Sequence, residues 1–269
     1  MKNIILNENK NNSNVEKIEN IDLELKKAIN NIKGSFFDLE TGNVNYKDIK
    51  GSELFEEYKL ITQSLKDFNF SILDTNDKKL AFWINIYNVL VVHGIIELDI
   101  KNSVNEISGF FDKVSYKIGN YIFSLDDIEH GILRRNVKKH FFSKRAFNNN
   151  DPRINLIIEK LEPRIHFSLV CGSKSCPPIG TYQEDKIDKQ LDLAASSFIN
   201  NDDILIDKEN NIITVSKIFK WYGKDFGTQD DLIQFIAKYR KNEEDKKFLL
   251  KNSSIISIKY LPYNWNLNH

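Results

Sequence analysis

Apolar and polar positions along the chain repeat in some segments with helical period and in others with strand period. Ile21, Leu23, Leu25, Ala28, Ile29 and Ile32 recur close to helical spacing and predict a short helix over 19–33, behind a polar tail at 1–18. Glu53 to Phe68 has the pattern of an amphipathic helix. Lys78 to Glu97 is apolar almost all round, as expected of a helix enclosed by neighbours on every side. VSYKIGNYIF around Gly119-Asn120 predicts a hairpin, His166 to Val170 a short strand, and DILIDKENNIITVS a second hairpin turning near Glu209 to Asn211. Gln183 to Asn200 and Asp230 to Lys241 return to helical period, and Ser254 to Leu261 alternates like a final strand. Helices followed by several short strands predict the α+β class, with the central buried helix packed on a mostly antiparallel sheet. No internal repeat and no Pro/Ser/Gly linker divides residues 19–269, which read as a single domain.

Composition narrows the function classes. Among 269 residues, 38 basic side chains balance 38 acidic ones, so no global field draws the chain to nucleic acid or to anionic lipid. Hydrophobic residues at 41% and aromatics at 12% exclude a disordered chain. The opening MKNIILNENKNNSN lacks the sustained apolar region of a secretory signal. The apolar stretch from Leu90 to Ile96, interrupted upstream by Asn85 and Asn88 and internally by His93, is too short to span a bilayer. The expectation is a cytoplasmic protein with reduced thiols and no membrane or nucleic-acid partner. Cys171 and Cys176 cannot form a disulfide framework, so stability has to come from packing.

The densest chemistry lies in PRIHFSLVCGSKSCPPIG, residues 163–180. Cys176 precedes Pro177 and Pro178. Proline suits the first position of a helix, so Cys176 is expected at a helix N-cap, where the dipole and Lys174 would favour thiolate. His166 on the preceding strand could then serve as general base, since imidazole titrates near neutral pH. The opposing reading makes the cysteines small buried hydrophobes in a tight turn and His166 a hydrogen-bonded core residue. A third reading takes His166, Cys171 and Cys176 as zinc ligands. It lacks the close cysteine spacing and the fourth ligand of structural zinc sites, and no metal is assigned.

SLDDIEHGILRR, 124–135, begins with an S-x-x-D capping box at Ser124 and Asp127. Leu125, Ile128 and Ile132 define an inward face that also takes Glu129, a carboxylate needing a partner. It could orient a catalytic imidazole or pair with Arg134, Arg153 or Arg164. His130, on the flank with Arg134, is either a surface residue or the base itself. Asn85 and Asn88 share a face of the buried helix, so their amides either fix a loop or line a site, and Asn85 or a loop N–H is a candidate oxyanion donor. Trp83 and Tyr87 are expected to pack in the core. SKIFKWYGKDFG, 216–227, gathers Phe219, Trp221, Tyr222 and Phe226 around a glycine, as a packing plug or a lid.

AFWINIYN (81–88), IEHGILR (128–134), RIHFSLVCGSKSCPP (164–178), SKIFKWYGKDFG (216–227) and YLPYNWNLN (260–268) together resemble the family catalogued as domain of unknown function 547, over about residues 80 to 268. That family occurs alone in bacteria and fused to other modules in plants and animals, and is similar to papain-like cysteine hydrolases in proposed fold. The resemblance implies Cys176 as nucleophile, His166 as base and Glu129 as polar third member. The order Glu, His, Cys reverses that of papain and implies a circularly permuted arrangement. The expected activity is a cysteine-dependent hydrolase or acyltransferase acting on a peptide, amide or isopeptide bond of an unidentified peptide or protein substrate, without a cofactor. The alternative is a non-catalytic interaction module whose His, Cys and Glu side chains are structural.

Overall fold

The apolar run around Trp83 forms the axis of the larger of two units into which the chain folds. One unit comprises Met1–Leu161, Leu169–Ile187 and Trp265–His269, the other Glu162–Ser168 and Asp188–Asn264. The computed structural model describes residues 3–8, 21–38, 41–139, 143–201 and 204–269. The predicted tail at 1–18 therefore lies largely outside the described residues. Each unit draws on non-contiguous segments, so no linker composition marks a border.

In the larger unit, β1 (Ile4–Ile5), α1 (Ile21–Phe36), α2 (Tyr46–Lys50) and α3 (Glu53–Gln63) precede α4 (Asn76–Glu97), and α5 (Phe110–Lys113), β2 (Val114–Ile118) and β3 (Tyr121–Ser124) follow it. The α3 helix stops short of the predicted Phe68 because Ser64–Asp67 tightens into a 3-10 turn. Thr75 caps α4 by accepting the Lys78 N–H at 3.2 Å. From Leu80 to Ile96 every α4 residue is buried, as a helix with no polar face requires. By length and composition α4 could cross a membrane, but its apolar surface is used in the core. The β2–β3 hairpin turns at Gly119-Asn120 as predicted, while β1 pairs with β2 in parallel.

The smaller unit holds α6 (Ile187–Ile199), β4 (Leu205–Asp207), β5 (Ile212–Val215), α7 (Ile218–Trp221), α8 (Gln229–Tyr239), α9 (Glu243–Asn252) and β6 (Ser257–Tyr260). β4 and β5 form the second predicted hairpin, and β6 joins β5 in parallel. Its core stacks Phe167, Phe198, Phe219 and Phe226 against Ile213, Val215, Ile233 and Ile236.

The α+β class holds, but the expected single, mostly antiparallel sheet is corrected. Among the described residues there are two three-stranded sheets, each with one parallel and one antiparallel pair. Parallel partners come from distant segments, which alternation in the sequence does not reveal. His166 to Val170 is also not a strand: Pro163–Phe167 forms a 3-10 turn. Pro163 presets its first position, Glu162 accepts the Arg164 N–H, and Ile165, His166 and Phe167 are all buried rather than alternating.

On α4, His93 Nδ1 and the Tyr116 hydroxyl are hydrogen-bonded at 2.7 Å, and Tyr116 bonds in turn to the Tyr58 hydroxyl. His93 Nε2 has no hydrogen-bond partner among the described residues. A charged ring would bury an unpaired N–H, and burial pushes the His93 pKa down from 6.5 to about 3. Between those values the unfolded chain binds a proton that the folded chain does not. Stability is therefore fully present above about 6.5 and falls as pH drops toward 3, by up to about 1.4 kcal/mol per pH unit. Urea unfolding between pH 6.5 and pH 4 is expected to show this slope in the wild type and a shallower one in His93→Phe. Equal slopes would remove His93 as the cause.

Candidate active site

The cysteine loop is gripped at both ends by α4. Asn88 Oδ1 accepts the Val170 N–H at 2.9 Å, and Asn85 binds both backbone groups of Tyr182, accepting its N–H at 2.9 Å and donating to its carbonyl at 2.8 Å. Of the two uses expected for these amides, this geometry serves the loop clamp, which engages Asn85 through both its oxygen and its nitrogen. At Gly172 the backbone has φ +75°, a conformation that favours glycine, and a Cβ there would press on the end of the Ile95 side chain. The C-terminal segment holds the other side: the Lys174 N–H donates to Asn266 O and the Asn268 N–H to Gly172 O.

Inside this frame Cys176 Sγ accepts the Cys171 N–H at 2.8 Å, while Cys171 Sγ lies 3.1 Å from Ser173 Oγ. Both are thiols rather than a disulfide. The expected helix N-cap at Cys176 is corrected. No helix follows Pro177 and Pro178, because a residue before proline is driven to extended backbone, and here two prolines succeed each other. The Cys176 N–H donates to Ser173 O and is thereby engaged within the loop.

His166 sits in the 3-10 turn of the smaller unit. Its Nε2 lies 2.8 Å from Asp225 Oδ2, and its ring stacks on Tyr222 at 3.9 Å. A carboxylate facing Nε2 places the ring proton there and leaves Nδ1 as the basic nitrogen. Arg164 anchors the turn through Glu162, Asp188 and Asp192. Asp225 was not singled out by the sequence. Its segment stood out for its aromatics, and the available signal was an acidic residue wedged before the buried Phe226.

Glu129 and His130 sit in the larger unit, on a π-turn, Asp127–Leu133. The capping box forms, with the Ser124 N–H donating to Asp127 and the Asp127 N–H donating to the Ser124 hydroxyl. The turn then widens, the Arg134 and Asn136 N–H groups donating to Glu129 O and Gly131 O five residues back. At Gly131 a Cβ would come within 2.5 Å of Phe147 Cζ, so only glycine admits that ring. The widening buries His130 together with Glu129, which overturns the surface position for the histidine. Glu129 accepts from the Tyr87 hydroxyl at 3.0 Å, a role that the packing expectation for Tyr87 missed. Arg134 donates to His130 Nδ1 at 2.8 Å, and burial lowers the His130 pKa against the raising influence of Glu129 and Asp126. Arg153 binds Asp127 and Asp151.

Cys176 lines a cavity of about 270 Å³ together with Val92, Val170, Pro177, Ile179 and Tyr46. A second, of about 530 Å³, shares Val44 and Tyr46 with it and is floored by Ile95, Ile96, Ile100 and Leu267. Burial raises the Tyr46 pKa, and Cys176 and Cys171 add to the shift, so its hydroxyl lies within electrostatic reach of both sulfurs. Among the described residues, no three His, Cys, Asp or Glu side chains are grouped to hold a metal ion.

No curated protein and no solved structure matches the chain. Residues 71–199, which carry α4, the π-turn and the cysteine loop, match the sequence model of the family described as Protein of unknown function, DUF547, which supports the family resemblance and assigns no activity.

Proposed function

We propose that the chain is a papain-like, circularly permuted cysteine hydrolase or acyltransferase acting on a peptide, amide or isopeptide bond, with Cys176 as nucleophile and, as the family resemblance implies, His166 as base. The observation that carries this reading is the setting of Cys176. Its sulfur receives the Cys171 N–H and lies 3.7 Å from Leu169 O, Cys176 lines a cavity, and a donated N–H favours thiolate over thiol. Asp225 supports the role of His166 by fixing the ring proton on Nε2, the orienting function of a third group beside a nucleophile–base pair. His130 is the weaker base because its Nδ1 already receives the Arg134 N–H. In the reaction the thiolate attacks the carbonyl carbon, the imidazolium gives its proton to the leaving amine, and water or a second amine releases the acyl group. The apolar cavity of about 530 Å³ next to the first suits a bulky apolar group on the substrate.

A second reading, the non-catalytic interaction module, draws on burial: the His166 and Asp225 side chains are only 1% and 2% exposed, as befits a structural pair. Iodoacetamide alkylation of Cys176 against pH, in a Cys171→Ser background, separates the two. The hydrolase reading expects a midpoint well below the ordinary thiol value of about 8.5, restored to it by His166→Ala. An ordinary midpoint with His166 present supports the interaction module.

A further inference from the structure

The cysteine loop holds a second chemistry that hydrolysis does not use. We propose that it is an oxidative modification site: a hydroperoxide converts Cys176 to its sulfenic acid, and Cys171 resolves that acid into an internal disulfide. The inference rests on loop geometry alone and stands or falls independently of the hydrolase reading.

One contact limits how far apart the two residues can be. Cys176 Sγ is 2.8 Å from the Cys171 nitrogen. With the covalent links from that nitrogen and from that sulfur to their own Cα atoms added, the two Cα atoms lie at most about 7 Å apart, close to the upper end of the range that disulfides span. Cys171 Sγ now lies 3.1 Å from Ser173 Oγ, so bridging requires that it leave this contact by rotation about its Cα–Cβ bond. The backbone between them is already turned back on itself by the Cys176 N–H to Ser173 O bond and by Gly172 at φ +75°. Asn88 at Val170 and the Asn266 and Asn268 backbone hold that turn in place, so little chain entropy remains to oppose ring closure. Both cysteines are partly exposed, and the cavity of about 270 Å³ gives a small peroxide a place beside Cys176.

The electrons balance in two steps. The Cys176 thiolate attacks the hydroperoxide, the O–O bond breaks, sulfur takes one oxygen, and the other leaves as an alcohol or as water after taking up a proton. The Cys171 thiol then attacks the sulfenic sulfur, the S–O bond breaks, and water departs with the Cys171 proton. Two thiols are oxidised and one peroxide is reduced, and a dithiol reverses the bond. Once bridged, Cys176 has neither a thiolate nor the geometry to keep its Cys171 N–H contact, so any thiol chemistry at this loop stops until reduction.

The test uses the whole protein and hydrogen peroxide, with N-ethylmaleimide added afterwards and trypsin digestion without reductant. Trypsin cuts after Lys174, between the cysteines, so a bridged loop yields two peptides that stay linked until reduced. The expected result is a monomer lighter by two hydrogens, with no maleimide on either cysteine and full labelling recovered by dithiothreitol. In Cys171→Ser, the same treatment is expected to carry Cys176 onward to the sulfinic acid, a gain of two oxygens. The proposal is overturned if wild-type Cys176 gains two oxygens while Cys171 still takes maleimide, or if the bond forms between two chains.

Discussion

Asp225→Ala is expected to destabilise the smaller unit by about 3 kcal/mol, the scale for removing one partner of a buried, charge-assisted hydrogen bond. The His166 ring would keep its burial and its stack on Tyr222 while its Nε2–H lost the acceptor 2.8 Å away. Asp225→Asn keeps a carbonyl oxygen for that N–H and gives up only the charge, so its loss is expected to be less than half as large. Urea unfolding of the three proteins by far-ultraviolet circular dichroism at neutral pH is the check. If alanine and asparagine cost the same, the interaction is steric rather than a hydrogen bond.

The second large effect is expected at Asn85. Asn85→Leu conserves approximate volume but strands the N–H and the carbonyl of Tyr182, both engaged by Asn85 in the native fold. At about 1 to 3 kcal/mol for each buried polar group left without a partner, the loss is expected to reach roughly 2 to 5 kcal/mol. Asn88→Ala removes the acceptor of the Val170 N–H and is expected to loosen the same loop. Because both side chains hold one loop, the double variant is expected to lose less than the sum of the single losses. Amide hydrogen exchange gives the local readout: Val170 and Tyr182 should exchange faster in the respective single variants. Protection unchanged at both amides would show that other contacts hold the loop.

Short-range features were legible in the sequence because their causes are local. The absence of any polar face marked α4 as buried, and Ser124 with Asp127 marked the start of the π-turn. Both hairpins turn where predicted. Where local rules failed, a neighbouring rule had precedence. Pro163 made a 3-10 turn of the expected strand at His166, and Pro177 followed by Pro178 denied Cys176 its helix. At 127–133, bonds five residues apart in place of four moved His130 inside.

By itself, then, the sequence determined the class of the fold, its central helix, its hairpins and the loop in which two thiols stand five positions apart. Periodicity, capping and turn chemistry act over a few residues and are written where they act. The tertiary structure alone decided which polar groups meet. His166 found its carboxylate 59 residues away at Asp225, and Asn85 its loop 97 residues away at Tyr182. A buried polar group must have a partner, but several carboxylates or carbonyls along a chain can satisfy that demand equally well. Which of them does so is set by the packing that brings distant segments together.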